Sequence, residues 1–125
     1  MNLHTDGSSR NNPGPSGIGV YGLDQSNGEL IEISEPVTYA TSEEAEYLAL
    51  IRAMEEAVSR GASKLHIFTD SKLVVNQIEG KWRVKNQELK RLHDKAISLT
   101  VHLKEFTITY ASRGKRDQKH ADRLA

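Results

Sequence analysis

Residues 65–71, Leu-His-Ile-Phe-Thr-Asp-Ser, decide the fold that the sequence predicts. The first five of them form an apolar run of strand length, and Asp70 follows the run directly. The first strand of the chain, residues 2–6, ends in the same way at Asp6, since each Asp follows a Thr and precedes a small residue. A right-handed crossover would place these two strands parallel and side by side. We therefore expect two carboxylates at the carboxyl ends of neighbouring strands, where open α/β sheets bind ligands.

Apolar periodicity and capping signals predict nine secondary-structure elements in the order βββαβααβα. Thr41 and Glu44 form a T-x-x-E capping box at the start of a helix that Gly61 ends, and Asn86 caps a later helix. Residues 7–17 are rich in Gly and Pro, which predicts a loop. The predicted strands are 2–6, 16–23, 28–37, 65–69 and 106–111, and the predicted helices are 41–60, 71–78, 86–99 and a last one from about 117.

The order of these elements and the composition of the chain predict one α/β domain. A hairpin meander followed by crossover helices implies a mixed sheet with helices packed on its faces. The 125 residues contain no internal repeat and no linker, so we expect a single domain, residues 1–125. The absence of Cys excludes disulfide scaffolds, Cys-based zinc sites and a Cys nucleophile. No signal peptide or membrane span is visible, and we expect a cytoplasmic monomer with no membrane partner.

The charges sum to zero, with 17 Lys and Arg against 17 Asp and Glu, but they are unevenly distributed. Residues 1–71 carry 4 basic and 11 acidic side chains, a net of −7, and residues 72–125 carry 13 and 6, a net of +7. This asymmetry predicts one face for cations and another for phosphate groups, although two solvated helix faces would give the same pattern. The basic residues cluster in two stretches: Lys81, Arg83, Lys85, Lys90, Arg91 and Lys95, then Arg113, Lys115, Arg116, Lys119 and Arg123.

Asp6 and Asp70 are candidate metal ligands, and Glu46 and Asp122 on predicted helices can join them. Carboxylates that converge repel one another, and their pKa values rise unless a cation compensates. Mg²⁺ suits this role because it prefers oxygen ligands and substrates that carry phosphate. Two such ions would activate a water molecule and stabilise the leaving oxygen of a phosphodiester. The alternative explanation is that both Asp residues only cap turns, since Asp-Gly and Asp-Ser turns are common.

Four segments of the chain carry a family resemblance. Residues 5–19 are TDGSSRNNPGPSGIG, and TSEEAEYLALIRAM, FTDSKLVV and QKHADRLA follow in that order along almost the whole chain. These segments resemble the four motifs of the ribonuclease HI family. The resemblance implies a ribonuclease H-like fold, with a five-stranded mixed sheet in the order 3-2-1-4-5 and flanking helices.

The same resemblance implies a reaction. The family's catalytic, metal-binding carboxylates fall on Asp6, Glu46, Asp70 and Asp122, and the residue that matches Glu46 lies near the ribose 2′-hydroxyl. The implied activity is hydrolysis of the RNA strand of an RNA–DNA hybrid by two metal ions, with Mg²⁺ as the cofactor and Mn²⁺ as a substitute. The products would carry 5′-phosphate and 3′-hydroxyl ends.

Several substrate-binding residues follow from the motifs. Asn12 matches an Asn that touches the RNA backbone in the minor groove, and Thr41 and Asn86 match positions that hold the DNA strand. The family's Asn-Asn pair is Ser42-Glu43 here. Ser42 therefore occupies the place of a substrate contact, and Glu43 adds a negative charge beside it.

The basic stretches supply further candidates for binding the substrate. Residues 80–86 interleave Trp82 with basic side chains, which suits a groove for the DNA strand, and a Trp-anchored loop between helices would look the same. Three basic residues follow the last strand, and any of them is a candidate contact to the scissile phosphate: Arg113, Lys115 and Arg116. Solvated loop cations are the alternative for these three residues.

Two departures from the family pattern bear on function. Many bacterial members carry a His in the loop before the last carboxylate. This loop has none at that spacing, and His120 lies on a different face of the last helix from Asp122. Members with a basic protrusion insert an extra helix near residue 80, whereas this chain passes almost directly between helices and resembles the compact branch without it. The missing protrusion leaves cleavage of double-stranded RNA open as a second activity.

Two other functions are compatible with these motifs. One is a nucleic-acid binding module on the same fold whose catalysis has lapsed, and the presence of all four carboxylates argues against it. The other is an enzyme of the wider polynucleotidyl-transferase group that acts on DNA, for which no specificity loop is visible. A metal-dependent cleavage assay on RNA–DNA, RNA–RNA and DNA–DNA duplexes distinguishes the three.

Overall fold

The computed structural model describes residues 1–112, the backbone of residue 116 and residues 117–125. Its strands are β1 (Asn2–Ser9), β2 (Gly14–Asp24), β3 (Glu29–Ala40), β4 (Lys64–Thr69) and β5 (Glu105–Tyr110). Its helices are α1 (Ser42–Ser59), α2 (Lys72–Ile78), α3 (Gln87–Leu99) and α4 (Arg116–Leu124), and a 3₁₀ turn at Thr100–His102 follows α3. Within this described part of the chain, no helix is both long and apolar enough to cross a membrane.

The five strands form one mixed sheet in the order β3-β2-β1-β4-β5. β1 is antiparallel to β2 and parallel to β4, and β5 is parallel to β4. The parallel pairing places Thr5 of β1 beside Thr69 of β4, so the residues that follow them, Asp6 within β1 and Asp70 just beyond β4, lie side by side. The predicted α/β fold, its strand order and the crossover between β1 and β4 are therefore confirmed.

The first three strands are longer than the sequence predicts. β1 continues to Ser9 and β2 begins at Gly14, so a loop over residues 7–17 is wrong and only residues 10–13 connect the strands. The ladder continues as far as Ser9, which pairs with Ser16. Gly and Pro lower the strand propensity of this segment, and pairing across the hairpin outweighs that propensity.

Helix α1 packs against one face of the sheet and supplies much of the core. Thr41 caps it as predicted, because its hydroxyl accepts the Glu44 N–H at 3.1 Å and the Glu44 carboxylate accepts the Thr41 N–H at 2.8 Å. The inner face of α1 is buried against strand residues such as Leu3, Val20 and Ile67. The helix residues on this face include Tyr47, Leu50, Ile51 and Met54.

Helix α4 covers the opposite face of the sheet by close backbone contact. A Cβ atom at Gly19 of β2 would lie 2.3 Å from the carbonyl oxygen of Ala121, which only glycine avoids. At the end of the helix, the Ser34 hydroxyl donates to the Leu124 carbonyl at 2.5 Å and satisfies a group that has no partner within the helix. These contacts hold Asp122 against the sheet.

Gly19→Ala should destabilise the protein, because its methyl group would overlap the α4 backbone. We expect the free energy of unfolding in urea to fall by about 2 kcal/mol, the usual cost of overpacking. Gly28 is the control: it has a φ of +75° and open space around an added Cβ atom. Gly28→Ala should therefore lower the free energy of unfolding by only about 1 kcal/mol, the cost of placing an alanine in a left-handed backbone conformation. Equal losses in both variants would contradict the close packing of α4.

Candidate active site

Asp6 and Asp70 are brought together by the parallel pairing of β1 with β4. Thr5 and Thr69 lie side by side in this pairing, and one Asp follows each of them. The Asp6 side chain is fully buried within the sheet, whereas Asp70 lies just beyond β4 and is half-buried. The paired strands therefore place a buried and a half-buried carboxylate next to each other, at the edge of the sheet where open α/β sheets bind ligands.

Turn capping does not account for these two residues. Asp6 lies inside a strand that continues to Ser9, so it does not end β1 as the sequence predicts. The cap of α2 is Ser71, whose hydroxyl accepts the Val74 N–H at 3.2 Å. Ser71, and not Asp70, therefore performs the capping role that the sequence leaves open for Asp70.

Helix α1 brings a third carboxylate, Glu46, to the same place. Gly7 of β1 lies against the first turns of α1, where an added Cβ atom would be 2.3 Å from the Ala45 backbone. The Gly7 N–H donates a hydrogen bond to the Glu46 carboxylate. Because only glycine permits this approach, residue 7 sets the distance between the sheet and Glu46.

The four predicted carboxylates converge in what we call the carboxylate cluster: Asp6, Glu46, Asp70 and Asp122. Oxygen atoms of the first three lie within 4.8 Å of one another. Asp122 joins them from α4, because its side chain shares a hydrogen bond with Asp6. Two strands and two helices from distant parts of the chain thus contribute one acidic group each.

Burial and mutual repulsion oppose ionisation of the carboxylate cluster. Burial is the main cause that raises the pKa of Asp6 far above its usual range, and the hydrogen bond with Asp122 and the charge of Glu46 raise it further. Burial also raises the pKa of Glu46, against a hydrogen bond from Asp6 that lowers it, and the charge of Asp70 adds to the rise. A cation bound among these groups would favour their charged forms.

The donor set of the cluster fits a hard divalent cation. All four side chains offer carboxylate oxygens, which are the ligands that Mg²⁺ and Mn²⁺ prefer. Glu46, Asp70 and Asp122 are only partly buried, so one side of the cluster is open to solvent. An open side is what a metal centre needs if substrate or water is to reach the ion.

The loop between β1 and β2 is tied to the start of α1 by predicted substrate-binding residues. The Asn12 carboxamide oxygen accepts the Ser42 N–H at 2.8 Å. The hydroxyl of Thr41 accepts the Glu44 N–H and still has a proton to donate. Asn12, Thr41 and Ser42 therefore belong to one surface, and Glu43 is exposed beside them.

Trp82 and Asn86 lie apart from that surface, in the connection 79–86 between α2 and α3. The Trp82 side chain is 48% exposed, and its backbone N–H donates to the Asn76 carbonyl. Asn86 caps α3 as predicted, accepting the Leu89 N–H at 3.0 Å. The structure describes this connection in full, and it contains no helix, as the sequence indicates.

The remaining predicted residues follow the last strand. Arg113 and Lys115 lie outside the described residues, as does the side chain of Arg116. The ring of His120 stacks on Tyr21 of β2 with centroids 4.0 Å apart. Its Nε2 atom lies 3.0 Å from the Glu32 carboxylate of β3. His120 therefore contacts β2 and β3, whereas Asp122 contacts β1.

Two buried Gln residues, to which the sequence assigned no binding role, connect the elements of the site. The Gln77 side chain of α2 accepts a hydrogen bond from the Tyr47 hydroxyl at 2.6 Å and donates one to the Arg83 carbonyl at 3.4 Å. These two hydrogen bonds link α1 to the connection 79–86. Gln118 of α4 is fully buried against β1. Two signals are present in the sequence. Gln77 shares the apolar face of Val74, where a polar residue is unexpected, and Gln118 begins the segment QKHADRLA, at the position where the family motif has Asn.

Asp6→Asn should stabilise the protein when no divalent cation is present. The pKa of the Asp6 carboxyl is raised in the folded state. The free energy of unfolding of the protein therefore falls as the pH rises from the unfolded pKa of this carboxyl towards the raised value. The gain over the unsubstituted protein should therefore grow between pH 5.5 and pH 8, to about 2 kcal/mol, measured by urea unfolding in EDTA.

The control for this prediction is Asp94→Asn. The hydrogen bond with His93 and the pairing with Lys90 lower the pKa of the exposed Asp94 carboxyl, so its substitution should give no gain at either pH. A lower stability for Asp6→Asn at pH 8 would contradict the assigned cost of burying the Asp6 charge.

Comparison with known proteins supports a single family. A family model described as reverse transcriptase-like matches residues 4–125. The fold is similar to that of ribonuclease H1 from the halophilic archaeon Halobacterium salinarum, with a TM-score of 0.91 and 33% identity over 99% of this chain and 92% of that chain. It is also similar to LC11-RNase H1, crystallised in complex with an RNA/DNA hybrid, with a TM-score of 0.88 and 32% identity over 98% of this chain and 91% of that chain.

Sequence relatives agree with the structural ones. The bifunctional protein Rv2228c of Mycobacterium tuberculosis is 38% identical over 98% of this chain, and the aligned region is 34% of that relative's length. The ribonuclease HI of Halobacterium salinarum is 33% identical over 100% of this chain, which spans 62% of that relative. With its motifs, its sheet order and these likenesses in agreement, the chain belongs to the reverse transcriptase-like family of ribonuclease H folds.

Proposed function

We propose that this chain hydrolyses the RNA strand of RNA–DNA hybrids with the help of two divalent cations. The observation that carries the proposal is the carboxylate cluster, in which oxygens of Asp6, Glu46 and Asp70 lie within 4.8 Å and Asp122 joins through Asp6. The likeness to a ribonuclease H1 that was crystallised with an RNA/DNA hybrid supports the choice of substrate.

The four carboxylates of the cluster would hold the cations in this reaction. When bound there, Mg²⁺ lowers the pKa of a water molecule and neutralises charge on the phosphate oxygens. The chain itself keeps the ligands in place, since Gly7 orients Glu46 by its N–H and the sheet fixes Asp6. Hydrolysis of the bond to the 3′-oxygen would leave 5′-phosphate and 3′-hydroxyl ends.

Two surfaces would hold the two strands of the hybrid. Asn12 and Ser42, which are joined by a hydrogen bond, would contact the RNA backbone, and Glu46 of the carboxylate cluster would lie near a ribose 2′-hydroxyl. The DNA strand would contact Thr41, at the edge of this first surface, and then Trp82 and Asn86 of the connection 79–86. Arg113, Lys115 and Arg116 are proposed contacts to the scissile phosphate.

The short connection between α2 and α3 bears on substrate preference. Residues 79–86 offer exposed basic groups at Lys81, Arg83 and Lys85 but no additional helix. With fewer contacts to the DNA strand, the protein would discriminate less well between DNA and RNA in that position. We therefore propose that it cleaves double-stranded RNA measurably, but more slowly than the hybrid.

The direct test compares matched RNA–DNA, RNA–RNA and DNA–DNA duplexes with Mg²⁺, with Mn²⁺ and with EDTA. We expect fastest cleavage of the RNA strand of the hybrid, slower cleavage of RNA–RNA, none of DNA–DNA, and none in EDTA. Binding of the hybrid without cleavage in any metal would show instead a module whose catalysis has lapsed. Cleavage of DNA–DNA would indicate a nuclease acting on DNA.

Asp70→Asn should abolish most hydrolysis of the hybrid while leaving the fold intact. Loss of one ligand removes several kcal/mol of charge stabilisation in the transition state, a decrease of more than about 100-fold in kcat. Glu105→Gln is the control, because Glu105 is an exposed acid at the opposite end of the sheet. A fully active Asp70→Asn variant would contradict the proposed mechanism.

Glu43→Gln should improve binding of the hybrid. Glu43 is exposed in the first turn of α1, beside the surface assigned to the substrate, where its charge repels phosphates. We expect KM to fall about twofold to threefold in low salt, with kcat unchanged. Glu55→Gln, about three turns further along α1, should leave KM unchanged. An unaltered KM for Glu43→Gln would place the substrate elsewhere.

A further inference from the structure

We propose that Gln118 is a positioning residue that sets the distance between Asp6 and Asp122 and thereby the affinity of the cluster for cations. This inference rests on the proposed function, because it gives the carboxylate cluster the role of a metal site. It concerns how α4, which carries Asp122, is held against β1, which carries Asp6.

The first observation is a buried hydrogen bond between α4 and the residue that precedes Asp6. The Gln118 side chain is fully buried, and its amide nitrogen donates to the Thr5 carbonyl at 2.6 Å. That carbonyl belongs to the peptide group joining Thr5 to Asp6. A buried amide group that loses its acceptor is left with an unsatisfied donor, which destabilises the fold, so this contact is strongly maintained.

The second observation is the spacing of the two polar residues along α4. Gln118 and Asp122 are four residues apart, so they lie one turn apart on the same face of the helix. Gln118 contacts Thr5, and Asp122 shares a hydrogen bond with the next residue, Asp6. Consecutive turns of α4 therefore contact consecutive residues of β1.

The third observation fixes the orientation of the Gln118 carboxamide. Its nitrogen must face the Thr5 carbonyl, which can only accept, so its oxygen faces the His4 ring at 3.2 Å. His4 then donates through Nδ1. The ring of His4 is itself stacked on Phe68 of β4, with centroids 4.7 Å apart. β1 and β4 together thus hold the carboxamide in one orientation.

Other contacts hold the far end of α4, which makes the role of Gln118 separable from folding. The Ser34 hydroxyl donates a hydrogen bond to the Leu124 carbonyl at the end of the helix, and Gly19 allows the helix backbone to approach β2. We therefore expect loss of the Gln118 contacts to displace Asp122 relative to Asp6 without detaching the helix.

The test replaces Gln118 with Met, which keeps the length of the side chain and removes its hydrogen bonds. Mn²⁺ binding is measured by calorimetry, thermal stability by circular dichroism, and kcat and KM on the hybrid. We expect the Mn²⁺ dissociation constant to rise about tenfold, as for other residues that orient metal ligands, with KM unchanged. Lys119→Met, at the exposed neighbouring position on α4, should leave Mn²⁺ binding unchanged.

The outcomes are distinct. The inference is overturned if Gln118→Met binds Mn²⁺ as tightly as the unsubstituted protein and its kcat falls only in proportion to its loss of stability. It is also overturned if Lys119→Met weakens Mn²⁺ binding as much as Gln118→Met does. If Gln118→Met does not fold, His4→Phe decides: it keeps the ring stack, and about threefold weaker Mn²⁺ binding supports the inference while unchanged binding overturns it. If the unsubstituted protein binds Mn²⁺ but cleaves no hybrid, the proposed function fails and the effect on Mn²⁺ binding still tests Gln118.

Discussion

The repulsion among converging carboxylates, of which Asp6 is fully buried, is the constraint on which the rest of the structure depends. The parallel pairing of β1 with β4 fixes Asp6 and Asp70, and the close approach permitted by Gly7 adds Glu46. Burial raises the pKa of Asp6 and of Glu46, so the metal-free fold holds these groups at a cost in stability. Perturbed pKa values of this kind cluster at functional sites, where they serve binding or chemistry.

The uneven charge distribution has a structural counterpart. In the acidic part of the chain, Arg60 is already engaged by Asp24, Glu29 and Glu56, close to the turn between β2 and β3. The exposed basic residues of the connection 79–86 lie in the other part of the chain. Although its net charge is zero, the chain thus has both an acidic site suited to cations and a basic surface suited to phosphates.

The pairing of β1 with β4 and the meeting of Asp6 with Asp70 could be predicted from local patterns, whereas the full sheet order and the set of four carboxylates were implied by the family resemblance. Asp6 and Asp70 each follow an apolar run and a Thr, and chain topology then brings the two runs together. The length of β1, the role of Ser71 as the cap of α2 and the contacts of Gln118 could not be predicted. They depend on which backbone groups meet across elements distant in sequence, and a propensity or a motif does not specify that.

Proton release on binding of Mn²⁺ tests the central claim most directly. Calorimetric titrations at pH 7.5 in two buffers of different ionisation enthalpy give the number of protons displaced. The raised pKa values of Asp6 and Glu46 predict that the metal-free cluster holds protons at this pH, so saturable binding should release about one proton or more. Saturable binding without proton release, or no binding at millimolar Mn²⁺, would contradict a carboxylate cluster that holds protons in the absence of cations and binds cations in their place.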